Sequence, residues 1–258
     1  MRKKNNGSKA FILGFLTLAF FLVFTGFTFA DGSSDVNVHV PEPNTIVLLL
    51  TGLCGWVVRV ARKRFLQFKK VFDLFFASMG VIMLSPLVGL TALYIKIVSP
   101  GPVFFKQERV GKGGKAFMIY KLRTMRLDAE EKSGPVWASK NDPRLIRGGG
   151  VIRKMHLDEL PQLLNVLKGE MSVVGPRPER PVFVDSLSRE IPDYMKRLKV
   201  KPGITGLAQV WHKYDESIKD VKKKIKYDVL YIRKMCFLVD LRILFRTFVV
   251  AASGKGAR

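Results

Sequence analysis

Twenty-one consecutive residues, Ala10 to Ala30, carry no charge. Wound as a helix, a run of that length crosses the roughly 30 Å apolar core of a bilayer. It follows Arg2, Lys3, Lys4 and Lys9, a basic start that stays on the cytoplasmic side of a membrane. Two readings stay open: a retained membrane helix, or a signal peptide cleaved after Thr28-Phe29-Ala30. Asp31 to Asn44 is polar and suits an external loop. Thr45 to Val58 is apolar again and ends on Arg59, Arg62, Lys63 and Arg64. Those charges bring the chain back inside, so the first 64 residues form a membrane hairpin or a signal segment with a helix over 41–64. A third apolar run, Leu74 to Ile95, lies between Lys69-Lys70 and Lys96, with Ser85-Pro86 in its middle. Pro86 has no N–H for the carbonyl of Ile82, and its ring crowds that turn, so a helix must bend there. The Ser85 hydroxyl offers partial compensation. Positive charge at both ends argues for a helix over 71–98 that enters and leaves by the same face, with a kinked full span as the alternative.

Charge bounds the partners. The chain has 44 Lys and Arg against 21 Asp and Glu, a net charge of +23, while 48% of its residues are hydrophobic. That apolar share excludes a disordered basic tail. Strong basicity suits nucleic acid, an anionic membrane surface or a phosphorylated substrate. From Lys69 to Arg258 the basic residues are scattered among Gly, Pro and aromatics, with no zinc-finger or basic-zipper pattern, so nucleic acid is set aside. Cys54, inside an apolar run, and Cys236 are the two cysteines. They support neither a disulfide framework nor a cysteine zinc site. His39, His156 and His212 show no ligand spacing.

From Ser99 onward no apolar run is long enough to span. Val103–Lys106 and Phe117–Leu122 are expected as strands flanking Gly111-Lys112-Gly113-Gly114, a hairpin. Asp128 to Arg147 is expected as an exposed loop, and Gly148-Gly149-Gly150 as a break. Glu159 to Leu167 has helical spacing, with Leu160, Leu163, Leu164 and Leu167 on one face. Asp158 stands at the N-cap position and Pro161 in the first turn. Asp215–Cys236 is expected as a basic helix and Phe237–Ala252 as an amphipathic helix on the membrane. The fold class is α+β, a mostly helical membrane-associated domain over 65–258 with one small hairpin.

An Asp-Glu pair at a helix start has a bland use, capping the helix and complementing its dipole. Its surroundings change that reading. Asp158-Glu159 lies in Leu157-Asp158-Glu159-Leu160-Pro161-Gln162-Leu163, followed by Asn165-Val166-Leu167-Lys168-Gly169 and Met171-Ser172-Val173-Val174-Gly175-Pro176-Arg177-Pro178. Before it stand Lys106-Gln107-Glu108-Arg109-Val110-Gly111 and Tyr120-Lys121-Leu122-Arg123-Thr124-Met125. After it stand Lys201-Pro202-Gly203-Ile204-Thr205-Gly206 and Ala208-Gln209-Val210. Over residues 65 to 250 this string closely resembles the bacterial sugar transferase family, the monotopic phosphoglycosyl transferases. The resemblance implies transfer of a sugar-1-phosphate from a UDP-sugar to a polyprenyl phosphate (undecaprenyl phosphate is expected), with release of UMP. That step initiates exopolysaccharide, O-antigen or related glycan assembly. It also implies a re-entrant helix bent at Ser85-Pro86, an inner-membrane location and a catalytic face toward the cytoplasm. A homodimer stays open.

The resemblance assigns Asp158 as nucleophile and Mg2+ as cofactor, with Glu159 and Asp158 as metal ligands. It points to Arg153 and Arg177 as substrate clamps. Lys121 and Arg123 follow as weaker candidates, and Lys106 and Arg109 are equally placed for lipid headgroup or substrate phosphate. Asp228 and Tyr231 are expected to be structural, and His156 a bystander. Trp137 and Trp211 are expected to pack. Leu122 and Leu207 replace aromatics common in the family. Val40-Pro41-Glu42-Pro43, the apolar stretch and the basic cluster resemble a PEP-CTERM sorting signal, which normally closes a chain. Two competing readings follow: an exported protein without activity, or a UDP-releasing glycosyltransferase. The second normally needs an Asp-x-Asp metal motif, which the sequence lacks.

Overall fold

The computed structural model describes residues 43–131, 134, 142–211 and 218–252. The expected segment 10–30, Val40 to Glu42 of the PEP-CTERM-like motif, His39, Trp137 and His212 lie outside them. The chain divides into two units, Met1–Gly55 and Trp56–Arg258. Helix α1 covers Pro43–Val98. One helix thus stands where the sequence suggested two, over 41–64 and 71–98. No Gly or Pro separates Arg64 from Val71, so nothing there removes a donor or admits a left-handed turn. Over Leu50–Val98 it is long and apolar enough to cross a membrane. The helix continues through Pro86, and the Ser85 hydroxyl donates to the Ile82 carbonyl at 3.0 Å. That carbonyl is the one Pro86 leaves without a backbone donor, so the local compensation read from the sequence is present.

Within the second unit, one stripe of α1 packs along the rest of the chain. Lys69 pairs with Asp240 at 2.5 Å, and Asp73 accepts from the Val173 amide at 3.0 Å. Ala77 packs with Ile119, Val166 and Met171, Gly80 faces Leu163, and Ile95 packs with Leu122, Ile146 and Ile152. The opposite side is apolar and open, with Ile82 73% and Ile97 74% exposed.

Strands β1 (Phe104–Val110) and β2 (Ala116–Leu122) form the expected hairpin, longer in its first strand. Helix α2 (Gly149–Lys154) begins where a chain break was expected. Gly148 opens it at φ 73°, and a Cβ there would sit 2.3 Å from the Tyr94 hydroxyl. A 3-10 turn, Leu157–Gln162, leads into α3 (Leu163–Leu167). The expected single helix over 159–167 is therefore divided. Pro161 gives no N–H to the carbonyl of Leu157, so the first part winds tighter. Asp158 lies inside that turn, not at its cap, which is His156.

Strands β3 (Ser172–Val174) and β4 (Gly203–Thr205) make a two-stranded parallel sheet that the sequence did not announce. Gly203 serves close approach here, not a turn: a Cβ on it would sit 2.1 Å from the Gly175 amide nitrogen. Helices α4 (Pro181–Glu190), α5 (Leu207–Trp211), α6 (Ile218–Lys234) and α7 (Phe237–Ala252) complete the unit. The last has the expected bounds. Another 3-10 segment, Tyr194–Lys199, packs with α4 and α6 around Val184, Leu187 and Val221. The α+β class holds, with two small sheets in place of one.

Candidate active site

The acidic pair sits on the 3-10 turn between α2 and α3. His156 precedes it at φ 56°, the single non-glycine residue with positive φ among the described residues. A left-handed residue of this kind is costly. It reverses the chain after α2 and turns Asp158 and Glu159 inward. Asn165 then fixes the following helix to β2. Its side chain accepts from the Tyr120 amide at 3.1 Å and donates to the Met118 carbonyl at 2.8 Å.

Both carboxylates are buried, Asp158 at 7% and Glu159 at 9% exposure. They are used differently. Glu159 accepts from Lys121 Nζ at 2.9 Å. Arg177 Nη1 donates to Glu159 Oε2 at 3.2 Å and Nη2 to Oε1, a bidentate fork. The Asp158 side chain makes no hydrogen bond or ion pair to any described residue. Burial, reinforced by the adjacent Glu159, raises the pKa of Asp158 against the opposing pull of Lys121, Arg153 and Arg177. Burial also pushes Glu159 upward, but Arg177 and Lys121 together hold it well below the usual range. Glu159 in turn raises the pKa of Arg177.

Arg153 extends from α2, and its Nε donates to Thr124 Oγ1 at 2.9 Å. Burial lowers its pKa, opposed first by the charge of Asp158. Asp158, Glu159, Arg153, Arg177 and Lys121 therefore share one electrostatic neighbourhood. Three other expected substrate residues make their direct contacts away from the acidic pair, although Arg109 still feels the charges of Arg177 and Glu159. Arg123 donates to the Ser99 and Pro100 carbonyls at 2.7 and 2.8 Å, closing the end of α1. Lys106 pairs in register with Tyr120, the neighbour of Lys121. Alternation puts it on the face opposite Lys121, and its ammonium lies 5.7 Å from the Tyr120 ring centre. Arg109 donates to Gln107 at 2.6 Å and to the Pro178 carbonyl at 3.2 Å, so it grips the chain beside Arg177.

Asp228 and Tyr231, expected to be structural, are buried and paired within the fold. Asp228 pairs with Arg197 at 3.0 Å, and the Tyr231 hydroxyl donates to Asp240 at 2.8 Å. Trp211 is partly buried, with the guanidinium carbons of Arg242 and Arg246 at 5.8 and 5.6 Å from its ring centre. Leu122 is a core residue at 2% exposure. The sequence reading missed Thr124, Arg197 and the backbone role of His156. Thr124 lies within the Tyr120–Met125 string, but no spacing rule links it to Arg153.

Among the described residues no three His, Cys, Asp or Glu side chains converge on one point. Magnesium does not require such a cage, since one or two carboxylates with substrate phosphates and water suffice. Asp158 and its neighbour Glu159 fit that sparse donor set. Asp158 has uncommitted oxygens, while those of Glu159 are shared with Arg177.

Residues 63–254 match the family described as bacterial sugar transferase. Over 190 residues, 74% of this chain and 45% of the relative, it is 47% identical to the UDP-N-acetylgalactosamine-undecaprenyl-phosphate N-acetylgalactosaminephosphotransferase of Aeromonas hydrophila. It is 41% identical to the UDP-glucose:undecaprenyl-phosphate glucose-1-phosphate transferase of Klebsiella pneumoniae, over 74% of this chain and 41% of that protein. It is also 41% identical to the exopolysaccharide production protein PSS of Rhizobium leguminosarum bv. phaseoli, over 74% of this chain and 98% of that protein. The match spans less than half the length of the first two relatives. The match over 63–254, together with relatives 41–47% identical over about three quarters of the chain, places this chain in the bacterial sugar transferase family.

Proposed function

We propose that the protein transfers a sugar-1-phosphate from a UDP-sugar to undecaprenyl phosphate, releasing UMP, by way of a phosphoryl-Asp158 intermediate. The observation that carries the reading is the division of labour in the acidic pair. Glu159 holds two cations, and Asp158 is buried beside them with its oxygens uncommitted. In the first half-reaction an Asp158 oxygen attacks the sugar-bearing phosphorus. The bond to the bridging oxygen breaks and UMP leaves with that oxygen. In the second, an oxygen of undecaprenyl phosphate attacks the same phosphorus and the Asp158 carboxylate is restored. Splitting the exchange avoids bringing two anionic substrates together in one step. Arg177, Lys121 and Arg153 supply positive charge for the phosphoryl oxygens. Bound Mg2+ would supply further charge neutralisation on the diphosphate, with Asp158 and Glu159 as its protein ligands.

The reading includes a membrane location with the catalytic face in the cytoplasm. Arg59, Arg62, Lys63 and Arg64, and the positive flanks of 71–98, support it. Entrance and exit of α1 by one face are supported by its packed stripe. From Lys69 to Ile95 the helix follows the catalytic unit for about 39 Å at 1.5 Å per residue.

The test mixes full-length protein in detergent with Mg2+ and either UDP-N-acetylgalactosamine or UDP-glucose, without lipid acceptor. A stoichiometric sugar-phosphate adduct with release of UMP is expected, and none in Asp158→Asn. Lipid-linked product formed without any adduct on the protein would replace the two-step reading with direct displacement.

A further inference from the structure

The segment Pro176–Glu179 is held by an uninterrupted set of donors. The Pro176 carbonyl accepts from the Gly203 amide at 2.9 Å, and the Glu179 carbonyl from the Val110 amide at 2.9 Å. Between them, the Arg177 carbonyl accepts from Arg197 Nη2 at 2.6 Å, and the Pro178 carbonyl from Arg109 Nη1 at 3.2 Å. Four consecutive carbonyls thus each have a partner, and the two inner partners are arginine side chains. Prolines on both sides of Arg177 restrict φ and ψ further. Arg197 is itself fixed. It is 3% exposed, pairs with Asp228 at 3.0 Å and donates to the Tyr194 hydroxyl at 3.1 Å. Arg109 is braced by Gln107 at 2.6 Å and by Glu179 at 3.7 Å.

We infer that Arg197 and Arg109 are positioning residues for the transfer reaction: they lock the backbone of Arg177, so that its guanidinium meets the acidic pair in one orientation. The mechanical reason is simple. A guanidinium at the end of a long side chain sweeps several ångströms when its own backbone rocks, and side-chain packing alone does not hold Arg177, which is 37% exposed. Holding the carbonyl of the same residue removes that freedom at its source. Arg197 does so with a buried charge-assisted bond. Lysine keeps the charge opposite Asp228 but lacks the planar fork that reaches Asp228, Tyr194 and the Arg177 carbonyl together.

This inference rests on the function proposed above, and its test separates the two. Adduct formation on Asp158 is timed in single turnover with the UDP-sugar that charges the wild-type protein. Arg197→Lys is expected to slow it about 10²-fold, the usual consequence of a displacement near 1 Å. Arg177→Ala is expected to slow it as well. In the double variant, Arg197→Lys is expected to add less than about twofold to the Arg177→Ala loss, because it acts through that side chain. Thermal melts report fold integrity for each variant. Should Arg197→Lys fail to fold, Arg109→Lys, a less buried side chain that grips the same segment from β1, takes its place in the cycle. Equal losses in both backgrounds would make the role merely structural and overturn the inference, as would an unchanged rate in the single variant. A wild-type protein that forms no adduct, or an Arg177→Ala variant as fast as wild type, would bring down the function reading itself and the inference with it.

Discussion

Neighbouring carboxylates with opposite pKa shifts make opposite stability claims. The folded pKa of Asp158 is raised by burial and by Glu159. Its contribution to stability is therefore present below its unfolded pKa and lost as pH rises through the folded value. Glu159, held low by Arg177 and Lys121 against the effect of burial, contributes above its unfolded pKa and loses that contribution as pH falls through its folded value. At neutral pH, Asp158→Asn is expected to raise Tm and Glu159→Gln to lower it, as read by thermal melts of the two single variants. Two shifts in the same direction would contradict this assignment of the charges. On the proposed mechanism, adduct formation should also slow as pH falls through the raised pKa of Asp158, because the carboxylate is the form that attacks. These two residues were legible in the sequence because the string around them is long. The fate of Arg123 was not: it lies two residues from Lys121, yet its partners are the end of α1. Nothing local to Tyr120–Met125 announces that helix end. His156 was set aside for its imidazole, while its contribution here lies in the backbone.

Among the elements, the apolar helix and its proline are the most exposed to test. The Ser85 hydroxyl serves the carbonyl that Pro86 leaves unpaired. Ser85→Ala is expected to cost about 1 kcal/mol, the usual net worth of one hydrogen bond. In a Pro86→Ala background the restored amide reaches the same carbonyl, so the same serine change should cost close to nothing. Melts of the four proteins in one detergent measure the coupling, and equal costs in both backgrounds would deny the hydroxyl this role. Such elements were readable where the pattern is local and repeated. The hairpin had its glycine turn and the last helix its amphipathic spacing. The parallel pair β3 and β4 has three residues in each strand, too few for alternation to register. Its partners lie about thirty residues apart, and its decisive feature is the space that Gly175 and Gly203 leave for one another. The division of 157–167 into a tight turn and a helix follows from Pro161, which the helical spacing of leucines concealed.

At the scale of the whole molecule, two apolar surfaces accompany a net charge of +23. One is the open side of α1, and the other lies on α7, where Leu238, Phe245 and Phe248 are exposed. Salt near 1 M shortens the Debye length to about 3 Å but leaves apolar burial intact. The protein is therefore expected to stay with membranes through a wash in about 1 M NaCl and to leave them only with detergent. Release by salt alone would mean that charge, and not apolar insertion, holds it there. The sequence identified which segments are apolar. It could not show that α1 is also a wall of the catalytic core, because that depends on contacts between residues up to 171 positions apart, such as Lys69 with Asp240. In the proposed reaction the helix acts as a depth gauge. Ile95 and Leu157, the residue before the proposed nucleophile, belong to one packed cluster. Whatever level α1 takes in the lipid, the catalytic turn is carried to a matching height above it. Reactive distance to a headgroup-level phosphate is then a property of where the helix floats, and a catalytic piece trimmed free of its anchor would lose its measure along with its wall.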